Sequence, residues 1–143
     1  MATFNKVNDF VANAVHDMDL ASDQVVVALS NTAPSAEGSD PTTDDNGVLA
    51  NVTEITYTNC SSRNVTTTTS SQTSGTYKLV LADITLSASG GDVGPFRYVY
   101  LYNDTVSGDP LIGYYDYGLS LTLNDGDSFT LDFSATDGVI QIS

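Results

Sequence analysis

Cysteine, histidine, tryptophan and positive charge are all scarce in this chain of 143 residues, and each scarcity removes a class of function. Cys60 stands alone, so no disulfide can close within the chain, and its neighbours Thr58, Asn59, Ser61 and Ser62 offer no partner for thiolate chemistry. His16 is the single histidine. One His and one Cys cannot supply a typical zinc centre. A Ser-His-Asp arrangement would have to use His16, which lies beside Asp17 and Asp19 and reads as a solvated residue near the favourable C-terminal dipole of a helix. Four basic residues, Lys6, Arg63, Lys78 and Arg97, are scattered against eighteen acids, for a net charge of -14. That balance excludes the clustered Lys and Arg on which phosphate-backbone binding depends, so no nucleic-acid partner is expected. Long apolar runs are missing too. Val25–Leu29 is far too short to span a bilayer, and no membrane association is expected. Met1–Lys6 lacks the basic segment and apolar stretch of a secretory signal, so synthesis in a cytoplasm without export by the general route is expected. The Asn-x-Ser/Thr triplets at Asn51, Asn59, Asn64 and Asn103 are then products of composition.

What the chain has in abundance is aspartate. Only Glu37 and Glu54 among the acids are glutamate. Aspartate favours turns and caps over helix interiors, which points to a loop-rich β protein, and the charge itself keeps copies apart in solution. Calcium is the metal such a surface suits. Setting Gly47 as the glycine of an EF-hand loop places Asp44 and Asn46 at coordinating positions, but Thr42 and Thr53 fall at its ends and Glu54 is one residue off. Ser89-Gly90-Gly91-Asp92 lacks the lysine and spacing of a phosphate loop. Nothing singles out a carboxylate pair for glycoside hydrolysis, and there is no tryptophan to form a sugar platform. No catalytic residue, cofactor or metal site is expected, and the chain reads as a non-enzyme.

Val7, Phe10, Val11, Ala14 and Val15 recur at helical spacing, which predicts one amphipathic helix over 3–17 with Thr3 or Asn5 as N-cap. Beyond it the pattern is β. Gln24–Ser30 predicts a strand, 31–47 a long acidic loop, and Val48–Tyr57 a helical turn followed by a strand. The Ser/Thr-rich stretch Asn64–Ser71 suits an exposed edge strand or disorder. Between Thr76 and Ser87 the alternation slips by one residue, which predicts a bulge or kink near Ala82-Asp83. Leu119–Leu123 and Phe129–Phe133 alternate cleanly around Asn124–Asp127 and predict a hairpin, and Val139–Ile142 predicts a last strand. Seven or eight strands in a single domain over 1–143 imply a mainly β fold, an antiparallel β-sandwich of jelly-roll type with one N-terminal α-helix.

Six of the eight tyrosines fall between Gly94 and Gly118, in two aromatic-rich runs that begin at Gly94-Pro95 and Asp109-Pro110. Tyr98, Tyr100 and Tyr102 alternate with Val99 and Leu101, which suits strands covered on both faces. Together with the helix they nominate a partner interface: Val7, Phe10, Val11, Phe96, Tyr98, Tyr100, Tyr114, Tyr115 and Tyr117.

Asn5-Lys6-Val7-Asn8-Asp9-Phe10, Leu29–Pro34, Thr76–Leu81, Gly94–Tyr98 and Pro110–Gly118, taken in this order, resemble small structural proteins of tailed bacteriophages and prophages over most of the chain. The resemblance implies a virion component, foremost a capsid decoration (cement) protein made in the host bacterial cytoplasm and placed on the capsid surface. Its partners would be the major capsid protein and copies of itself, as dimers or trimers. A tail, baseplate or fibre-associated protein is the alternative, and a carbohydrate-binding module with stacking tyrosines a further one.

Overall fold

A computed structural model describes residues 2–34 and 47–143. The acidic loop expected over 31–47, with Asp44 and Asn46, therefore lies for residues 35–46 outside the described residues. The described residues are mainly β, with antiparallel sheets and one α-helix. Its elements are β1 (Phe4–Lys6), α1 (Phe10–His16), β2 (Val25–Ser30), β3 (Asn64–Val65), β4 (Thr67–Thr73), β5 (Thr76–Leu81), β6 (Ile84–Ser87), β7 (Val93–Asn103), β8 (Leu111–Leu123), β9 (Ser128–Leu131) and β10 (Ile140–Ile142). They form a five-stranded sheet in the order β1-β8-β7-β2-β3, a three-stranded sheet β10-β5-β4 and the pair β6-β9. No helix among the described residues is long and apolar enough to cross a membrane.

The five-stranded sheet is covered on both faces. One face packs Val25, Val27, Leu29, Val99, Leu101 and Ile112 against Leu79, Leu81 and Ile140 of the three-stranded sheet and Leu86 and Leu131 of the two-stranded one. The other face gathers Val26, Ala28, Tyr98, Tyr100, Tyr102 and Leu111 with Val7 and Val52. Every residue of β2 is buried. The unbroken Val-Val-Val-Ala-Leu run, where one-sided strands alternate, reflects that two-sided cover. The alternating tyrosines of β7 follow the same rule, as their spacing predicted.

Four local expectations are corrected. The helix does not run over 3–17. Phe4–Lys6 is an edge strand on β8, with Phe4 opposite Tyr115 and Lys6 opposite Gly113. Gly113 makes that possible, because a Cβ there would run into the Phe4 ring and sit 2.6 Å from the Asn5 carbonyl. The helix starts only after Asp9, with no side-chain cap bond from Thr3, Asn5 or Asp9. The slip at Ala82-Asp83 is a change of sheet and not a bulge. The Ala82 N–H donates to the Thr66 carbonyl, the Asp83 carboxylate accepts the Phe133 N–H at 2.8 Å, and β6 leaves for a different partner. The hairpin expected across Asn124–Asp127 does not form. Its turn is bonded at Gly126 and Asp127 to Ala88, just past β6, so the returning strand β9 pairs with β6 while β8 pairs with β1 and β7. Val48–Tyr57 yields a single 3-10 turn at Leu49–Asn51, and its strand reduces to one isolated bridge, Ser30 to Glu54.

The Ser/Thr-rich stretch is strand, in β3 and β4, both at sheet edges. The tyrosine runs pair as β7 and β8. Pro95 lies within β7, between Val93 and Phe96, where the register shifts and a missing N–H costs no ladder bond.

Candidate functional site: a groove along the helix

Two turns of helix cannot stand alone, so α1 is held by one side chain on each of its approaches. Val7 is buried against the tyrosine-bearing face of the five-stranded sheet, while Phe10 enters the opposite core beside Leu79 and Ile140. With Phe10 turned inward, Ala14 and Met18 follow it against that core, and Val11 and Val15 beside them point away. Val11 is 50% exposed and Val15 is 76% exposed. These residues, with Ala14 and Met18, form one wall of a groove of about 840 Å³. Across it lie Ser70 and Gln72 of β4, Tyr77 of β5 and Ile140 and Ile142 of β10. Gln72 and Ile142 are both register partners of Tyr77, and Ile140 is the partner of Leu79. The groove floor therefore continues the core-facing side of the three-stranded sheet beyond the point where the core covers it. Leu79 is fully buried, Tyr77 is half-buried, and Ile142 is 50% exposed.

Polar groups sit at defined places in this apolar trough. The Tyr77 and Ser70 hydroxyls lie 2.8 Å apart. Burial raises the Tyr77 phenol above its ordinary value, the Ser70 bond pulls it down, and the nearby Asp19 carboxylate raises it. Asp19 stays ionised. The Ser22 hydroxyl and the Ala21 N–H donate to it and hold its carboxyl below the usual range. The Asp23 carboxylate, which accepts the Asp19 N–H at 2.8 Å, also accepts the side-chain N–H of buried Asn103 at 2.7 Å. That chain of bonds ties the segment after α1 to the end of β7. Lys6 is the one basic side chain lining the groove among the described residues, and it precedes α1 as Asp19 follows it.

A second polar cluster is built into the sheet. The Tyr57 hydroxyl accepts the Leu29 N–H at 2.8 Å and donates to the Glu54 carboxylate at 2.7 Å. The Arg63 guanidinium lies over the Tyr57 ring, 3.7 Å from its centroid, and donates to the Val27 carbonyl. Burial raises the Tyr57 phenol strongly. Each of these groups is engaged with the fold, so the cluster pins Glu54, Tyr57 and Arg63 against β2.

The nine residues nominated for an interface are not brought together. Val7, Phe10, Phe96, Tyr98 and Tyr100 are buried inside the fold, at 6% exposure or less, and present no surface to a partner. Alternation along β8 sends Tyr114 to the Tyr100 side and Tyr115 and Tyr117 to the other. Tyr115 packs on Phe4 and Tyr117 on Phe129, each at 5.1 Å between ring centroids. Burial pushes the Tyr115 phenol up to about 12. A smaller cleft of about 490 Å³ runs past Tyr115 and Tyr117, with Asp116 and Asp132 beside it. The Asp116 carboxylate is already held by Arg97 in a two-point ion pair at 2.7 and 3.0 Å. Only Val11, of the nine, lies in the groove with a largely open side chain.

His16 is the exposed last residue of α1, and Cys60 is half-buried, its thiol raised by burial. Among the described residues no three His, Cys, Asp or Glu side chains converge as metal ligands. The helical spacing in the sequence points to Val11 and Val15 as one apolar face, and Val11 as an interface residue. Sequence reasoning missed Met18, Asp19, Tyr77 and Ile142, whose only signal was that a short strand ending in Ile-Gln-Ile puts both isoleucines on one face. In comparisons with family models, curated proteins and solved structures, nothing matches this chain.

Proposed function

We propose that this chain is a non-enzymatic structural protein of a tailed-bacteriophage virion, a capsid decoration protein that binds and stabilises the major capsid shell through the groove along α1. One observation carries the reading. Of the four large apolar side chains exposed among the described residues, Val11, Val15 and Ile142 converge on this groove, and only Leu119 lies elsewhere. Scattered exposed apolar residues are ordinary, whereas a shared, polar-rimmed apolar concavity is the usual mark of a surface that another molecule covers. The chain as a whole carries a net charge of -14, which keeps free copies apart before they reach the shell.

The resemblance of five separate segments to phage structural proteins supplies the biological setting. In this reading the sheets form a sandwich of jelly-roll type. The five-stranded sheet is one layer, and the three- and two-stranded sheets are the other. Copies of the chain then stand as neighbours, in dimers or trimers about the symmetry axes of the shell.

The experiment is to add purified protein to expanded capsids that lack it. Saturable binding and a higher temperature of capsid rupture are the expected result. A protein that leaves such capsids bare, and is instead recovered in isolated tails, would overturn the assignment in favour of a tail, baseplate or fibre role.

A further inference from the structure

We propose that the groove along α1 receives an apolar segment flanked by lysine or arginine, presented by the partner protein and anchored between Val11 and Val15 on one side and Tyr77 and Ile142 on the other. This deepens the decoration reading and rests on it for the partner's identity, but the chemistry is argued from the groove itself.

Shape points to a macromolecular partner. A volume of about 840 Å³ is that of a sizeable ligand site, yet its wall side chains Val11 and Val15 remain half or more open to solvent. An open apolar shelf suits side chains lowered onto it from a partner surface, where a few anchors supply most of the binding energy. Charge then selects the segment. The groove wall holds one carboxylate, Asp19, kept ionised by the Ser22 hydroxyl and the Ala21 N–H, and the exposed Asp17 follows the helix end. Lys6 is the single opposing cation in the wall. Beyond the groove the chain as a whole carries -14. A second copy would bring another -14 to the same place, so self-docking is opposed by repulsion while a basic segment is drawn in. Tyr77, Ser70 and Gln72 place hydroxyl and amide groups along the floor, where they can meet the main chain of the guest.

The test uses the full-length protein and three synthetic peptides with fluorescent labels. All share the same length. One has a leucine- and isoleucine-rich core with lysines at both ends, the second has the same core with glutamates, and the third keeps the lysines around a serine-rich core. Fluorescence anisotropy is expected to show binding of the first alone, weakened at least tenfold in the double variant Val11→Gln, Val15→Gln, whose exposed positions tolerate the change. Equal binding of the glutamate peptide would overturn the charge selection. Equal binding of the serine-cored peptide would reduce the effect to general attraction by an acidic surface and overturn the groove. Unchanged affinity in the double variant would do the same. Capsid binding separates the two readings. If the double variant still saturates and heat-protects capsids, the groove inference fails and decoration stands. If wild-type protein binds the lysine peptide but no capsid, decoration fails and the groove stands.

Discussion

Strands β7 and β8 hold six of the eight tyrosines, and Tyr98, Tyr100 and Tyr102 are at most 6% exposed. The groove along α1 is lined by residues drawn from three distant stretches of chain, and its aliphatic side chains Val11, Val15 and Ile142 are 50% exposed or more. Tyr98 and Tyr100 of β7, nominated in sequence as a binding surface, are therefore interior, whereas on the helix face nominated with them Val11 stays open. Local density of large amphipathic side chains identifies strands that are covered on both faces. A patch that lacks a cover is created by tertiary arrangement, in this chain by Phe10, Ala14 and Met18 turning α1 so that Val11 and Val15 face out.

The contrast can be broken most forcefully at its buried pole. Tyr100→Ala removes a side chain of 0% exposure and is expected to cost roughly 3–5 kcal/mol in a denaturant titration, as for other large aromatic truncations. Folded protein of that variant should still bind the lysine-flanked peptide, and a loss of peptide affinity at matched folded fraction would show that the two regions are one. Next comes the seam between them. Gly113→Val forces atoms into the space of the Phe4 ring and the Asn5 carbonyl, an overpacking expected to cost about 1–3 kcal/mol. It should free β1, seen as faster hydrogen exchange at Asn5 and Lys6, and weaken peptide binding along with it.

Smaller effects come from the polar pins. Tyr57→Phe strips the hydroxyl that accepts the Leu29 N–H and is expected to cost about 1–2 kcal/mol. The same phenol sets a pH dependence. Burial raises Tyr57 and Tyr115, the latter to about 12, so the folded state holds these protons more tightly than the unfolded chain, whose tyrosines titrate near 10. Their contribution is complete below pH 10 and is lost as pH rises from 10 towards 12. The fall in Tm over that interval should be shallower in Tyr57→Phe and in Tyr115→Phe than in the parent. Asp116 behaves with the opposite sign. Arg97 holds its carboxyl low, so its small contribution is present above the ordinary carboxylate value of 3.8 and disappears as pH falls below it. The pair is more than one-third exposed and screened by solvent, and Arg97→Gln is expected to leave the unfolding midpoint almost unchanged at neutral pH. At the open pole the stability effect vanishes. Val11→Gln with Val15→Gln should leave the unfolding midpoint within about 0.5 kcal/mol of the parent, while removing peptide binding. A large destabilisation there would show that the groove wall is core after all.

Much of the fold was legible wherever a strand's own pattern decided its state. β2 announces itself by a run of β-branched residues, β7 by tyrosines alternating with Val99 and Leu101, and β10 by its closing isoleucines. Legibility fails where a distant strand chooses. The alternation of Leu119–Leu123 and Phe129–Phe133 is real, but Ala88 captures the turn between them and hands β9 to β6. The helical spacing of Val7, Phe10, Val11, Ala14 and Val15 is real as well. Yet Phe4 finds a bed on Gly113 that no local pattern reveals, and Val7 and Phe10 end in different cores. The groove was the least legible part, because its walls come from opposite ends of the chain and its character lies in what fails to cover them.

The pairing of β1 with β8 sets Phe4 opposite Tyr115, and β10 pairs with β5, far from it in sequence, setting Ile142 opposite Tyr77. Closing so long a stretch of polypeptide is slow compared with forming neighbouring hairpins such as β4-β5 and β7-β8. The groove needs both late arrivals, since β1 delivers Lys6 and the approach to α1 while β10 delivers Ile140 and Ile142. Its completion thus reports that both long-range pairings have formed. A nascent or half-folded copy has no assembled groove to offer, which gives any assembly built on this surface a form of quality control at the moment of recruitment.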